Sequence, residues 1–216
     1  MRVNGRIPPP DGALIDPDAD EVTVDGRPVQ APLGNRYLMV NKPAGVLVTA
    51  SDPQGRPTVH DLLGGEPAGR LFAVGRLDLD TRGLLLLTSD GELANRLAHP
   101  RHKVPKEYTA IVAGIPRDDD LRRLRTGVLL EDGPTAPAQA ELLRVGRGGL
   151  AEIRLVIREG RKRQVRRMLE AVGHPVRELT RTGYGPLRLG RLKEGSWRRL
   201  RQQEVEALRR AAGLTR

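Results

Sequence analysis

The segment VGRLDLDTRGLLLLTSDG, residues 74–91, places two carboxylates, Asp78 and Asp80, among the guanidinium groups of Arg76 and Arg82, directly ahead of the apolar run 84–87. Charges beside a core strand cost free energy unless they are paired or used. An aspartate starts with a pKa of about 3.9, which burial raises and an adjacent guanidinium lowers. A carboxylate that must stay ionised here therefore needs a basic partner. The densest basic run, REGRKRQVRRML at residues 158–169, offers several. On a helix its Val165, Met168 and Leu169 fall at i, i+3 and i+4 and dock it, leaving arginines such as Arg163, Arg166 and Arg167 on the remaining faces. Those faces are either simply solvated or a surface for phosphates.

Tyr108 is one of only five aromatic residues, with Tyr37, Phe72, Tyr184 and Trp197, and it follows Lys106 on the alternating stretch KEYTAIVAG. A phenol among cations suits stacking on an unstacked base. The alternative is a core tyrosine with its hydroxyl at the rim. Other patterns carry less. GRGGLA, residues 146–151, matches a loose dinucleotide fingerprint, but LAEIRLVI alternates like a strand where that fingerprint opens a helix, so a hairpin turn is expected. No phosphate-binding G-x-x-x-x-G-K-[ST] loop is present. His60, His99, His102 and His174 lack metal-ligand spacing and are expected in solvated or capping roles.

Composition narrows the classes further. The absence of cysteine rules out disulfides, thiolate metal sites and a cysteine nucleophile, and fits a reducing cytoplasm. No run is long enough for a membrane helix, so no membrane partner is expected. A formal charge of +10, nearly all of it arginine, favours a polyanionic partner. An arginine-rich solvated surface is the competing explanation. The excess is uneven, because residues 1–30 carry Arg2, Arg6 and Arg27 against Asp11, Asp16, Asp18, Asp20, Glu21 and Asp25.

The elements that must hold these residues follow from pattern. Residues 1–30 read as short strands around a proline- and aspartate-rich loop, too few to form a core, with a linker at 31–36. Beyond them, RYLMVNKP, RLFAVGRL and LLLLTS read as strands, the last two buried. DGELANRLAHP is a helix with a start signal and a proline stop, and RDDDLRRLRTG a short helix closed by glycine. QAELLRV and LAEIRLVIREG form a hairpin. They are followed by the helix RKRQVRRMLEAVG, the strand PVRELTRTGYG and the helix QQEVEALRRAAG. Paired strands with interspersed helices predict an α+β fold, a largely antiparallel mixed sheet with helices packed on it.

GRLDLDTRGLLLLTSDGELANRLAHP, KEYTAIV and EGRKRQVRRM occur in one order, with NKPAG before them and RTGYGPLRLGRLKEGSWRRL after. In that order and spacing the chain resembles the RsuA/RluB-type pseudouridine synthases, from about residue 37 to 197. The family's G-R-L-D-x-x-T-x-G-L is matched in full by residues 75–84, and DGELANRLAHP is closer to the branch that modifies large-subunit ribosomal RNA. The resemblance implies the pseudouridine synthase fold and isomerisation of a uridine in ribosomal RNA, free or in a pre-ribosomal particle, by a cytoplasmic monomer without cofactor. It implies that Asp78 is the catalytic aspartate and that Asp80 sits at a variable position. Arg161, just after EG, becomes the basic partner of Asp78, and Tyr108 the residue that stacks on the target base. Arg76, Lys106, Arg163, Arg166 and Arg167 are expected to bind RNA.

Residues 1–30 resemble the strand half of an S4 RNA-binding module, which makes residues 37–216 the catalytic domain. Met1 then falls within the module, so a longer natural product is expected, and residues 1–30 should be the least stable part of the chain. The competing readings are a non-catalytic RNA-binding or ribosome-associated protein on the same fold, and a synthase for small-subunit RNA.

Overall fold

The computed structural model describes residues 1–16, 20–29, 34–64 and 71–214. Part of the expected linker, residues 31–33, lies outside these. The chain divides into two compact units, Met1–Arg36 and Tyr37–Arg216.

The first unit carries three short antiparallel strands, β1 (Arg2–Val3), β2 (Val22–Val24) and β3 (Arg27–Val29), in the order β1-β2-β3. The β2–β3 turn uses Asp25 and Gly26, both at positive φ (52° and 73°). Two such residues give the hairpin turn whose twist matches paired strands, and Asp-Gly is among the pairs that tolerate it. Ile7, Leu14, Ile15, Val24 and Val29 are exposed, as expected for a segment too small to enclose them.

The second unit is built on β4 (Tyr37–Lys42), β5 (Phe72–Ala73), β6 (Arg82–Thr88), β7 (Lys106–Ala113), β8 (Leu129–Leu130), β9 (Gly133–Pro134), β10 (Gln139–Val145), β11 (Leu150–Ile157), β12 (Val176–Tyr184), β13 (Leu187–Arg188) and β14 (Trp197–Arg199). Its helices are α1 (Gly91–Ala98), α2 (Asp118–Thr126), α3 (Gln164–Ala171) and α4 (Gln202–Ala211). The main sheet runs β10-β11-β7-β12-β6-β4-β14. Every neighbouring pair in that order is antiparallel except β12 and β6, which meet in parallel at Thr180–Arg82 and Arg181–Gly83. The fold is α+β, with a mixed and mainly antiparallel sheet.

Alternation along a strand explains the leucine run. Leu85 and Leu87 join the core formed with Leu121 and Leu124 of α2 and Val165, Met168 and Leu169 of α3. Leu84 and Leu86 point the other way, into the core formed with Leu93 and Leu97 of α1 and Leu208 of α4. A strand covered on both faces reads as continuous apolar sequence. The far strands are covered on one face only. Their outer side carries cross-strand ion pairs such as Arg154–Glu107 at 2.9 Å and Arg144–Glu152 at 3.1 Å.

Three local expectations need correction. Within RLFAVGRL the strand is confined to Phe72–Ala73, extended by Val74 N–H donating to Leu86 O at 2.8 Å; Leu71 and Val74 are buried but Phe72 is exposed, and Gly75 at φ 70° then turns the chain away. Helix α3 begins at Gln164, since Arg163 adopts a left-handed conformation that interrupts the helical run. His174 is buried rather than solvated, with Nδ1 at 3.1 Å from Ala113 O and Nε2 at 3.2 Å from Asp120. Residues 146–149 lie in the β10–β11 hairpin turn, as their sequence context predicts.

Candidate active site

Asp78 lies in a turn that leads into β6. The turn is closed by Thr81 N–H donating to Asp78 O at 3.1 Å. It is held from beneath by Leu79 O, which accepts from Gly45 N–H at 2.8 Å and more distantly from Lys42 Nζ at 3.4 Å. Lys42 is fully buried at the end of β4, and its Nζ also donates to Pro43 O and Val46 O at 2.7 and 2.8 Å. It thereby ties the NKPAG loop to the Asp78 turn. Burial pushes its pKa down to about 8, against the opposing pull of Asp80 and Asp78.

An open cavity of about 300 Å³ lies beside this turn. Asp78, Tyr108, Arg161, Arg76, Lys106 and Arg163 all line it, so the structure brings together residues from β7, the loop before β6 and the loop before α3. Tyr108 is buried and belongs to the core, yet it reaches the cavity from β7, two residues beyond Lys106 on the same face of that strand. Arg76 is exposed, as befits a residue at the mouth.

The basic run divides in a way its sequence does not suggest. The Arg161 guanidinium donates to Gly133 O at 3.0 Å and to Pro134 O at 2.6 Å, and lies 3.4 Å from Asp132. Arg167 makes a two-pronged pair with the same Asp132 at 2.9 and 3.0 Å. Both arginines thus fasten α3 to the β8–β9 hairpin. The residues brought to the Asp78–Asp80 turn are Arg163 and Arg166, each paired with Asp80 at 3.1 Å and each within electrostatic reach of Asp78. Arg166 is half-buried, which lowers its pKa. Gln164 completes the turn before α3, accepting from Arg161 N–H at 3.0 Å and donating to Glu159.

Two lining residues were not singled out from sequence. Thr81 has a buried hydroxyl with no partner among the described residues, and Arg181 of β12 is a buried guanidinium that reaches the cavity. Arg181 did have a signal: it occupies the inward phase of an alternating strand, between buried Leu179 and Gly183. A charge in that phase is out of place unless it faces a site. Among the described residues no cluster of potential metal ligands occurs and no helix is long and apolar enough to cross a membrane.

A mixed sheet with helices on both faces thus sets a carboxylate turn at its parallel junction, beside a tyrosine and several arginines. Residues 36–171 match the RNA pseudouridylate synthase family, and the chain belongs to that family. It is 44% identical to an uncharacterized RNA pseudouridine synthase of Aquifex aeolicus (strain VF5) over 99% of its own length and 85% of that protein's. It is equally 44% identical to ribosomal large subunit pseudouridine synthase B of Bacillus subtilis (strain 168), over 98% of this chain and 86% of the other. A crystal structure of a pseudouridylate synthase superposes with a TM-score of 0.75 at 34% identity, covering 96% of this chain and 87% of that one.

Proposed function

We propose that the protein isomerises a specific uridine of large-subunit ribosomal RNA to pseudouridine, with Asp78 as the reactive carboxylate and Tyr108 stacked on the target base. The observation that carries this reading is the shared cavity: Asp78 and Tyr108 line one pocket with Arg76, Arg163 and Lys106 around them. The name of the Bacillus subtilis relative supports the choice of large-subunit RNA. A base inside RNA structure cannot reach such a pocket, so the nucleotide is flipped out, which costs a few kcal/mol by the usual estimate of about that size. Arg76 and Arg163 meet the flanking phosphates. Arg163 and Arg166 keep the Asp78 turn electropositive, while Arg161 and Arg167 hold the frame of α3.

Residues 1–30 are read as an S4-like appendage, 31–36 as a linker and 37–216 as the catalytic domain, acting as a cytoplasmic monomer on ribosomal RNA or its precursor particle. The acidic excess of residues 1–30 means that they add little RNA affinity. Incubation with unmodified 23S and 16S ribosomal RNA transcripts, followed by carbodiimide-stop mapping, tests the function. A single pseudouridine stop in the 23S transcript is expected. A stop confined to 16S transcripts moves the substrate to the small subunit, and no stop in either removes ribosomal RNA as the substrate.

A further inference from the structure

Arg181 is only 1% exposed, and it makes one side-chain hydrogen bond, from Nε to Leu84 O at 2.7 Å. Its Nη2 is buried without an acceptor among the described residues. Lys106 approaches from the neighbouring strand, where its Nζ donates to Val104 O at 3.3 Å. Among the described residues no carboxylate comes within ion-pair distance of either cation. Both instead lie near one ring, Tyr184, with the Arg181 guanidinium carbon 5.2 Å and the Lys106 nitrogen 5.7 Å from its centroid. Burial first, and then the charge of Arg181, push the Lys106 pKa down to about 8.

A guanidinium has five N–H donors, and a buried one with a single acceptor and a cationic neighbour is far from satisfied. The ring face compensates only in part. Both residues line the cavity that also holds Asp78 and Tyr108. What this corner lacks is a carboxylate in direct contact, since Glu159 pulls the Lys106 pKa up only from beyond ion-pair distance.

We propose that Arg181 and Lys106 form an anion receptor at the floor of the pocket, and that it takes up the charge left on the uracil ring when its bond to ribose breaks. This rests on the reading of Asp78 and Tyr108 given above. The C1′–N1 bond breaks with its electron pair on N1, and the resulting anion shares that charge with O2 and O4. The positive charge at C1′ is met by the Asp78 carboxylate. After the ring turns, C5 supplies the pair for the new C1′–C5 bond, H5 leaves as a proton and N1 takes one up, so the isomerisation needs no co-reactant. A phosphate is the poorer occupant: Nη2 is out of solvent, whereas a phosphate keeps much of its water and finds exposed arginines at the mouth.

The test uses Arg181→Met and Lys106→Met in the full chain, with 23S and 16S transcripts carrying uridine or 5-fluorouridine. The fluorinated base has no proton to lose at C5, so after the C1′–C5 bond forms it keeps its fluorine and takes up water across N1 and C6, and nuclease digestion with mass spectrometry reads that product. Thermal midpoints check folding, because Arg181 also anchors Leu84 O, and Lys106→Met serves as the gentler variant. Single-turnover rates on uridine should fall about 100-fold or more, the usual cost of losing one donor to a developing anion, with RNA Kd within threefold by the same estimate. Fluorine makes the departing base a weaker one that depends less on the receptor, so the loss should shrink to about tenfold on 5-fluorouridine.

Equal losses on both substrates would mean a structural role, and a loss confined to Kd would mean a phosphate contact; either overturns the proposal. Full rates in both variants, while Asp78→Asn is inactive, would remove the receptor and leave the functional reading standing. No product from the unaltered protein would remove both.

Discussion

Asp80 grips Arg163 with both carboxylate oxygens, each 3.1 Å from a guanidinium nitrogen, and its Oδ2 lies 3.1 Å from Arg166 as well. The arginines nearest the Asp78 turn therefore meet this carboxylate before they meet RNA. Burial alone would raise the Asp80 pKa, but the Arg163 hydrogen bond and the Arg166 charge hold it below the ordinary carboxylate range. A lowered carboxyl stabilises the fold above its unfolded pKa and loses that contribution as pH falls through the folded value. The clasp is accordingly intact at neutral pH.

Asp80→Asn should release both guanidinium groups. RNA affinity at low salt is expected to rise and its salt dependence to steepen, while product formation stays largely intact. Arg163→Gln should do the reverse, flattening the log–log slope by about 0.7 per lost phosphate contact on single strands. Fluorescence anisotropy across a salt series measures both, and identical slopes in all three proteins would exclude Arg163 from the RNA surface.

Asp78→Asn should abolish product while leaving RNA Kd within a few fold, because it removes a reactive group and no phosphate contact. Tyr108→Leu should be inactive. Tyr108→Phe keeps the stacking, worth about 1–3 kcal/mol per base, and separates it from any role of the hydroxyl. Carbodiimide mapping together with filter binding reads all three, and turnover surviving in Asp78→Asn would take that residue out of the mechanism.

Gly83→Ala is expected to be among the most damaging single substitutions in the sheet. Gly83 has φ 105°, and a Cβ there would lie 2.8 Å from Arg181 N and closer still to Arg181 O. Backbone cannot yield as a flexible side chain does, so a loss of about 2 kcal/mol or more is expected from overpacking and strain. Urea unfolding decides this.

Lys42 gives a pH signature in stability. Its pKa falls from 10.5 to about 8 on burial, so the folded chain holds fewer protons than the unfolded one between those values. Stability then rises with pH in that window. Lys42→Met removes this increment along with three carbonyl contacts, so the stability gap between the two proteins should widen from pH 7 to pH 10. A constant gap in urea unfolding would mean that Lys42 titrates normally.

Much of the site was legible because its residues lie close in sequence or share a strand phase. The Asp78 turn directly precedes a visible core strand, and Asp90, the N-cap of α1, accepts from Leu93 N–H at 2.9 Å where DGEL signals a start. Tyr108 and Lys106 share one face of an alternating strand. Arg161 was harder to place: its neighbours in space, Asp132 to Pro134, belong to a two-residue-strand hairpin whose position no local pattern encodes. Arg163 in a left-handed conformation is likewise a product of packing, since the Asp80 clasp and the Gln164 turn fix it from outside the helix. The strand phase of Arg181 marked it as an inward charge, but its place beside the cavity became readable only once β12 was known to lie against β6.

The parallel junction of β6 and β12, registered at two residue pairs, makes the second unit two plates joined along a short seam. One plate carries the Asp78 turn on β6 and β4, and the other carries Tyr108 and Arg181 on β7 and β12. The opening between carboxylate and aromatic ring is therefore held by that seam together with the ties that cross it, the core shared by Leu85, Leu87 and Leu179 and the Asp80–Arg163 clasp. On the proposed reading, an RNA seated at the mouth of the cleft would touch both plates at once, so seating the substrate and spacing the Asp78 carboxylate from the Tyr108 ring would become one adjustment.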